Sequence, residues 1–106
     1  MSPDTKQKEP WTFFSNNAHV LVCLSETPQP TTSEIARRVG ITERATQRIV
    51  RRLADAGAIR IEKNGRRNRY ALNLGLRLRH PLESHKSIGE FLSLINPDSS
   101  LVRRTS

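Results

Sequence analysis

A continuous apolar run at residues 20–24, and two later stretches between residues 31 and 56 in which apolar residues recur every three or four positions, predict three helices. The first helix is predicted to begin after Ser15 or Asn16, either of which can cap it, and to run to about Glu26, before Pro28. Its centre, HVLVCL, is apolar on every side. Such a helix needs two packing surfaces, which here are the domain core and either the last helix or a second subunit.

The second and third helices are predicted to be joined by a short turn. Thr31 and Glu34 have capping-box spacing at the start of the second helix, and Gly40 suits the left-handed turn that ends it. Thr42 then caps a third helix that is expected over residues 43–56. The inward positions of the two helices are Ile35, Ala36, Val39, Ala45, Thr46, Ile49, Val50 and Leu53.

Beyond the third helix the pattern changes to a period of two, which is typical of β-strands. Two alternating runs, residues 58–63 and 68–73, flank Asn64-Gly65, and this pair predicts a tight hairpin turn because both residues tolerate positive φ. In the first run Ile59 and Ile61 lie to one side, and in the second run Tyr70 and Leu72 are predicted to face inward. A last helix is predicted to begin at Pro81, which suits a first helical turn, and to end at Asn96.

This order of elements predicts a mainly α fold with a small β-hairpin. Residues 11–80 are expected to form a winged helix-turn-helix domain, and residues 81–96 a C-terminal dimerisation helix. The polar ends, residues 1–10 and 97–106, are predicted to be disordered tails.

Basic residues are concentrated in the middle of the chain. The net charge of +8 and the pI near 11.1 indicate a polyanionic partner. Residues 37–79 hold 13 Lys and Arg against three acidic residues, whereas residues 1–36 hold two against four. A purely structural surface helix would normally interleave Glu with Arg, and here the acids are scarce. The surplus charge therefore marks the third helix and the hairpin as candidate contacts to nucleic acid.

Polar side chains on these two elements are predicted to make two kinds of contact with DNA. Arg44 and Arg48 match the acceptor pattern of guanine in the major groove, and Gln47 matches adenine. The remaining arginines are expected to neutralise phosphates, which fixes register and orientation. The candidate DNA-binding residues are Thr42, Glu43, Arg44, Gln47, Arg48, Arg51 and Arg52 on the helix, with Arg66, Arg67 and Arg69 on the hairpin.

The segment TTSEIARRVGITERATQRIVRRLADAGAI, followed by the basic hairpin KNGRRNRY, resembles the winged helix-turn-helix of small transcription regulators of the MarR and ArsR types. The resemblance covers residues 31–72, which are 42 of the 106 residues. It implies a recognition helix over residues 43–56 that lies in the major groove, and a wing over residues 63–69 that contacts the backbone or the minor groove. The helices carry no cysteine pair of the metal-sensing ArsR kind, and the long helices of a MarR ligand pocket are absent or shortened. Sensing of a small-molecule effector is therefore not implied.

A homodimer is predicted because the first and last helices present more apolar surface than so small a domain can bury alone. The predicted interface residues are Trp11, Phe14, Ile88, Phe91, Leu92 and Ile95. A two-fold dimer would place two recognition helices about one turn of DNA apart, roughly 34 Å.

Other chemistry has little support in the sequence. His19 and Cys23 have a spacing that can hold a metal ion, but without further ligands a partly buried imidazole and a buried thiol are the favoured interpretation. The chain shows no nucleophile–base pair and no phosphate-binding loop, so no enzymatic activity, metal or cofactor is predicted. With one cysteine and no apolar run near the ~18 residues of a membrane span, it is expected to be cytoplasmic and without a membrane partner.

The sequence thus predicts a sequence-specific, double-stranded DNA-binding transcription regulator. The alternative is a winged-helix module that binds an acidic protein partner or RNA, since a fold does not dictate its partner. The central motif holds a single aromatic residue, Tyr70, which is predicted to face inward rather than to stack on RNA bases.

Overall fold

Four α-helices and one β-hairpin make up the part of the chain that the computed structural model describes, which is residues 11–65 and 67–96 without the side chains of Asn64 and Arg67. In chain order the elements are α1 (Asn16–Leu24), α2 (Thr32–Val39), α3 (Glu43–Asp55), β1 (Ile59–Asn64), β2 (Arg67–Leu72) and α4 (Ile88–Ile95). The expected mainly α winged helix-turn-helix is confirmed. The two predicted tails, residues 1–10 and 97–106, lie outside the described residues. No helix within the described ranges is long and apolar enough to cross a membrane.

Helix α1 lies at the centre of the core. It ends at Leu24, two residues before the predicted end, where the Ser25 hydroxyl donates to the Val22 carbonyl at 2.6 Å and closes the last turn. Residues from every other element except β2 complete the buried cluster around it. These buried residues are Val20, Leu21, Cys23, Leu24, Ile35, Ile49, Val50, Ala58, Ile59, Ile88 and Leu92. The chain itself therefore covers most of the all-round apolar surface of α1.

The helix-turn-helix follows its sequence signals closely. The Thr31 hydroxyl accepts from the Glu34 N–H, and the Glu34 carboxylate accepts from the Thr31 N–H, so the predicted capping box is present. Gly40 adopts a φ of 88°, which only glycine adopts at little cost. Thr46, fully buried, donates its hydroxyl hydrogen bond to the Thr42 carbonyl at 3.0 Å, so a polar side chain enters the core without an unpaired group.

The hairpin pairs Ile59 with Leu72 and Ile61 with Tyr70. Asn64 is still paired, so Gly65, with a φ of 68°, is the first residue of the turn rather than its second. Ile59 and Ile61 lie on the same side of β1, but Ile59 is 4% exposed whereas Ile61 is 42% exposed. The outer half of the hairpin extends past the core, and it therefore depends on other contacts for its orientation.

The last helix begins at Ile88 and not at Pro81, as the sequence pattern had suggested. Residues 81–86 form turns, and the bridge between Arg77 and Ser87 brings this loop back against the connector that follows β2. Ser87 and Glu90 form a capping box that starts α4. The same spacing had identified the start of α2, so the signal was present in the sequence.

Helix α4 belongs to the core of the chain rather than lying outside it. Ile88 and Leu92 are 3% and 1% exposed and join the same buried cluster as α1. Gly89 lies so close to the connector that an added Cβ would stand 3.1 Å from the Leu74 carbonyl oxygen. Phe91 is half-buried and packs edge-on against Phe14, with ring centroids 5.3 Å apart. The domain and the predicted dimerisation helix therefore share one core.

Candidate nucleic-acid interface

Helix α3 presents a polar face because its opposite face is held in the core. Thr42 caps the helix by accepting from the Ala45 N–H, and Ile49 and Val50 anchor its inner side. All of the predicted contact residues on this element are exposed, as their positions in the helical pattern predict. They are Thr42, Glu43, Arg44, Gln47, Arg48, Arg51 and Arg52. Because one side of α3 is packed in the core, the backbone positions from which these side chains extend are fixed.

The arginines at the centre of this face are not neutralised. Arg44, Arg48 and Arg51 have no ion-pair partner among the residues that the structure describes. The two acids of α3, Glu43 and Asp55, lie at its two ends. Three adjacent cations without counter-charges concentrate positive potential on one surface, which attracts a polyanion.

The remaining two polar side chains lie on the flanks of that face. Arg52 donates to the Asn17 side-chain oxygen at 3.2 Å, which draws it towards α1. Gln47 lies on the other flank, beside the hairpin. There it lines a cleft of about 450 Å³ together with Arg51 of the central face and residues of the wing and α2. The full lining is Thr32, Gln47, Val50, Arg51, Ala54, Asp55, Ile61, Asn68 and Tyr70.

The hairpin carries a second set of cations. Glu62, the one acid between residues 58 and 73, is held by Arg60, whose Nη2 lies 2.7 Å from its Oε2. Arg69 stands opposite Glu62 in the strand register, is exposed, and has no ion-pair partner in the described ranges. Of the other predicted wing contacts, Arg66 lies outside the described residues and the side chain of Arg67 is not described.

Two residues near this surface were not named individually as contacts, although Lys63 lies within the predicted wing. Lys63 is exposed near the end of β1, and Thr32 lines the cleft between α3 and the hairpin. The position of Lys63 beside Asn64-Gly65 was a visible sequence signal. Thr32 had no such signal, because its place in the cleft depends on how α2 packs against the hairpin.

Arg38 is exposed but its charge is already matched. Its two Nη atoms donate to the Glu26 carboxylate at 2.7 and 2.6 Å, across the segment between α1 and α2. These hydrogen bonds lower the pKa of Glu26, and they raise the pKa of Arg38. The pair therefore ties the linker to α2, and Arg38 does not add to the unpaired charge of α3.

The two residues considered as metal ligands have other contacts. His19 Nδ1 lies 3.2 Å from the Asn16 side-chain oxygen. Cys23 is buried, and burial raises the pKa of its thiol, which keeps it protonated at neutral pH. Both side chains fit the structural interpretation that the sequence pattern favours.

An apolar groove lies on a different side of the molecule. It has a volume of about 1050 Å³ and is lined in part by Phe14, Phe91 and Leu94. Several large apolar residues in or beside it are exposed, and Trp11 packs edge-on against Phe13 at 4.7 Å. The exposed large apolar side chains of the N-terminal arm, the 81–86 loop and α4 are Trp11, Phe13, Phe14, Leu82, Leu94 and Ile95. We call these six residues together with Phe91 the aromatic patch.

The predicted dimer-interface residues divide into two groups. Ile88 and Leu92 are buried in the core of the single chain, so they cannot face a partner, and assigning them to the interface surface is wrong. The side of α4 that carries Ile88 and Leu92 packs directly on the core of the same chain. Of the other four, Phe14 and Phe91 line the groove, and Trp11 and Ile95 are exposed members of the aromatic patch. Phe13, Leu82 and Leu94 belong to the patch and were not predicted.

Comparison with known proteins gives one family match. A model described as "MarR family" matches residues 15–67, which is half of the chain. The matched region begins at the cap of α1 and ends at the first residue of β2, so it contains the complete helix-turn-helix. No curated protein and no solved structure matches the chain.

Proposed function

The chain belongs to the MarR family of DNA-binding transcription regulators, and from this premise we propose that it reads a specific duplex sequence with α3 and holds the DNA backbone with its wing. In this assignment α3 lies in the major groove. Arg44 and Arg48 pair with guanine edges and Gln47 pairs with adenine, since these side chains match the donor and acceptor patterns there. Arg51 and Arg52 neutralise phosphates on either side.

The observation that carries this proposal is the unpaired charge on α3. Three other exposed cations, Arg38, Arg60 and Lys86, lie within 4 Å of a carboxylate, whereas Arg37 and Arg79 are isolated exposed cations without an ion pair among the described residues. Arg44, Arg48 and Arg51 have no such partner among the described residues. Leaving three cations unpaired on a well-packed helix has no structural benefit, because like charges at this spacing repel. Their arrangement is explained when a polyanion supplies the opposite charge.

The direct test is selection of bound sites from a pool of random duplex DNA. Enrichment of one sequence, with footprint protection over it, is the result that we expect. Failure to enrich any duplex, together with tight binding to RNA or to an acidic protein, would overturn the DNA assignment. The selected duplex then serves as the specific site for all measurements of affinity.

Replacing Arg69 with Ala should reduce the salt dependence of DNA binding. Its guanidinium is exposed on the wing and unpaired within the described ranges, so it is placed to meet a phosphate. The slope of log affinity against log salt should then fall by about 0.9, because the protein neutralises one phosphate fewer. The measurement is a salt titration on the selected duplex and on a random duplex.

Because a phosphate contact carries no sequence information, both duplexes should be affected alike. The control is Arg79→Ala, which removes the same charge from an exposed position on neither α3 nor the wing. A slope unchanged in Arg69→Ala, or lowered equally in Arg79→Ala, would contradict the wing contact.

We further propose that two copies of the chain associate through the aromatic patch. Trp11, Phe13, Leu82 and Leu94 are each more than 70% exposed; the last three line one groove, and Trp11 packs against Phe13. A contiguous apolar surface of this kind marks an interaction site rather than an ordinary monomer surface. A two-fold axis through the patch would leave α3 of each copy free to meet DNA, and it predicts a near-palindromic site.

Replacing Leu94 with Glu should dissociate this dimer without unfolding the chain. Leu94 is 72% exposed, so a carboxylate there stays in water in the monomer but would be desolvated in the interface. Sedimentation at micromolar concentration should show a dimer mass for the wild type and a monomer mass for the variant. Gln47→Glu, an exposed change on α3, should remain dimeric. A wild type that is monomeric both with and without DNA would refute the dimer.

A further inference from the structure

The side-chain amide of Gln29 joins two elements that are distant in sequence. Its Oε1 accepts from the Tyr70 N–H at 3.0 Å, and its Nε2 donates to the Tyr70 carbonyl at 3.0 Å. The same Nε2 donates to the carbonyl of Leu24, the last residue of α1, at 2.8 Å. One amide group therefore pairs with both backbone groups of a residue in β2 and also with the end of α1.

This pairing takes the place of a third strand. In an antiparallel pair, alternate residues direct their N–H and C=O groups away from the partner strand. The sheet here has two strands only, and Tyr70 offers these groups at the edge of β2 that β1 does not cover. Gln29 stands between Pro28 and Pro30, which have no N–H to donate, so this segment is unsuited to form a strand through its backbone. The side chain makes the edge contacts instead.

The position of this contact matters for the wing. Ile59, at the base of the hairpin, is buried, but Ile61 opposite Tyr70 is 42% exposed. The Gln29 contact thus lies where the hairpin leaves the core. Arg69 is the next residue towards the tip. The linker that carries Gln29 is in turn fixed to α2 by the ion pair between Glu26 and Arg38.

We propose that Gln29 is a positioning residue for the wing, which fixes the angle of the hairpin relative to α1 and α3 and so sets where Arg69 meets the DNA. This inference rests on the proposed function, because it assumes that the wing contacts a DNA backbone. Without the amide, the outer hairpin is free to tilt on its base. The wing cations then have no fixed distance from the bases that α3 reads.

The test is a double-mutant cycle on DNA affinity with Gln29→Met, which keeps the length of the side chain and removes its hydrogen-bonding groups. Alone, the variant should lower the salt slope by about 0.9, as expected when one phosphate is no longer neutralised. Combined with Arg69→Ala, it should lower the slope no further, because the same phosphate is involved. Combined with Arg44→Ala on α3, its effect should be additive, since distant and independent sites add.

Two controls accompany the cycle. Amide hydrogen exchange should show that the Tyr70 N–H exchanges faster in Gln29→Met while amides of α3 keep their protection, which establishes that only the wing is released. If the Met variant does not fold, Gln29→Asn, whose amide is one methylene shorter and cannot reach both partners, enters the same cycle. The ratio of affinities for the selected and random duplexes should stay near the wild-type value in either variant.

The outcomes separate this inference from the proposed function. A wild type that binds no duplex would overturn the DNA assignment and the inference with it. A wild type that binds DNA normally, with Gln29→Met showing an unchanged slope, would overturn the role of Gln29 alone. Equal additivity with Arg69→Ala and with Arg44→Ala would also overturn it, because Gln29 would then act on the fold as a whole.

Discussion

Replacing Arg48 with Ala is expected to weaken binding to the selected duplex by about 1–3 kcal/mol, which is roughly 5- to 150-fold, and binding to random DNA by much less. Arg48 lies on the exposed face of a helix whose other side is buried, so its guanidinium can be aimed at a base edge. In the proposed complex Arg48 forms a bidentate pair with guanine, and the variant loses that pair. Titration of labelled specific and random duplexes at fixed salt measures both affinities.

Arg79→Ala is the matched control for this prediction, since it changes the net charge equally but lies away from α3. It should leave the preference for the selected duplex unchanged. Thermal unfolding of Arg48→Ala should match the wild type, because the side chain is exposed and unpaired among the described residues. Equal proportional reductions in affinity for both duplexes would show that Arg48 contacts phosphate and does not read a base.

Replacing Leu92 with Ala should lower the free energy of unfolding by about 2–5 kcal/mol. Leu92 is 1% exposed and lies on α4, in the same cluster as α1. Truncating a side chain in such a site removes apolar contacts and leaves a cavity that the surrounding residues fill only in part. For a small domain this is a large fraction of the total stability, and chemical denaturation followed by circular dichroism measures it.

Leu94→Ala is the matched control, because it makes the same chemical change two residues along the same helix at a position that is 72% exposed. In the monomer its effect should stay within about 0.5 kcal/mol. A comparable destabilisation in both variants at protein concentrations below the dimer range would mean that α4 does not pack on the core as the structure places it.

The pattern of ion pairs separates structural from functional charge in this protein. Arg38 forms an ion pair with Glu26 of the linker between α1 and α2, and Arg60 forms one with Glu62 within the hairpin. Exposed pairs of this kind contribute little to stability, so their main effect is to fix geometry and to mask charge. Among the described residues, Arg44, Arg48 and Arg51 lie together without an ion pair on α3, and Arg69 is likewise without one on the wing; Arg37 and Arg79 are also without an ion pair, but each lies apart from these two surfaces.

Local signals in the sequence determined the helix-turn-helix and most of the face that carries the candidate contacts. The capping box of Thr31 and Glu34, the turn at Gly40 and the cap at Thr42 act over a few residues, so each could be located without knowing the fold. The inward and outward sides of α3 follow from its period alone. The capping-box spacing of Ser87 and Glu90 is a local signal of the same kind, and it marks the start of α4 at Ile88.

Tertiary packing decided what those local signals could not. Which side of α4 faces the chain's own core depends on the path of the connector after β2, and this placed Leu92 inside and Leu94 outside. The contact between Gln29 and Tyr70 joins residues 41 positions apart, so no local pattern predicts it. The pairing of Glu26 with Arg38 likewise depends on how α1 and α2 cross. Periodicity predicts which residues share one face of a helix or strand. Only the tertiary structure shows what that face contacts.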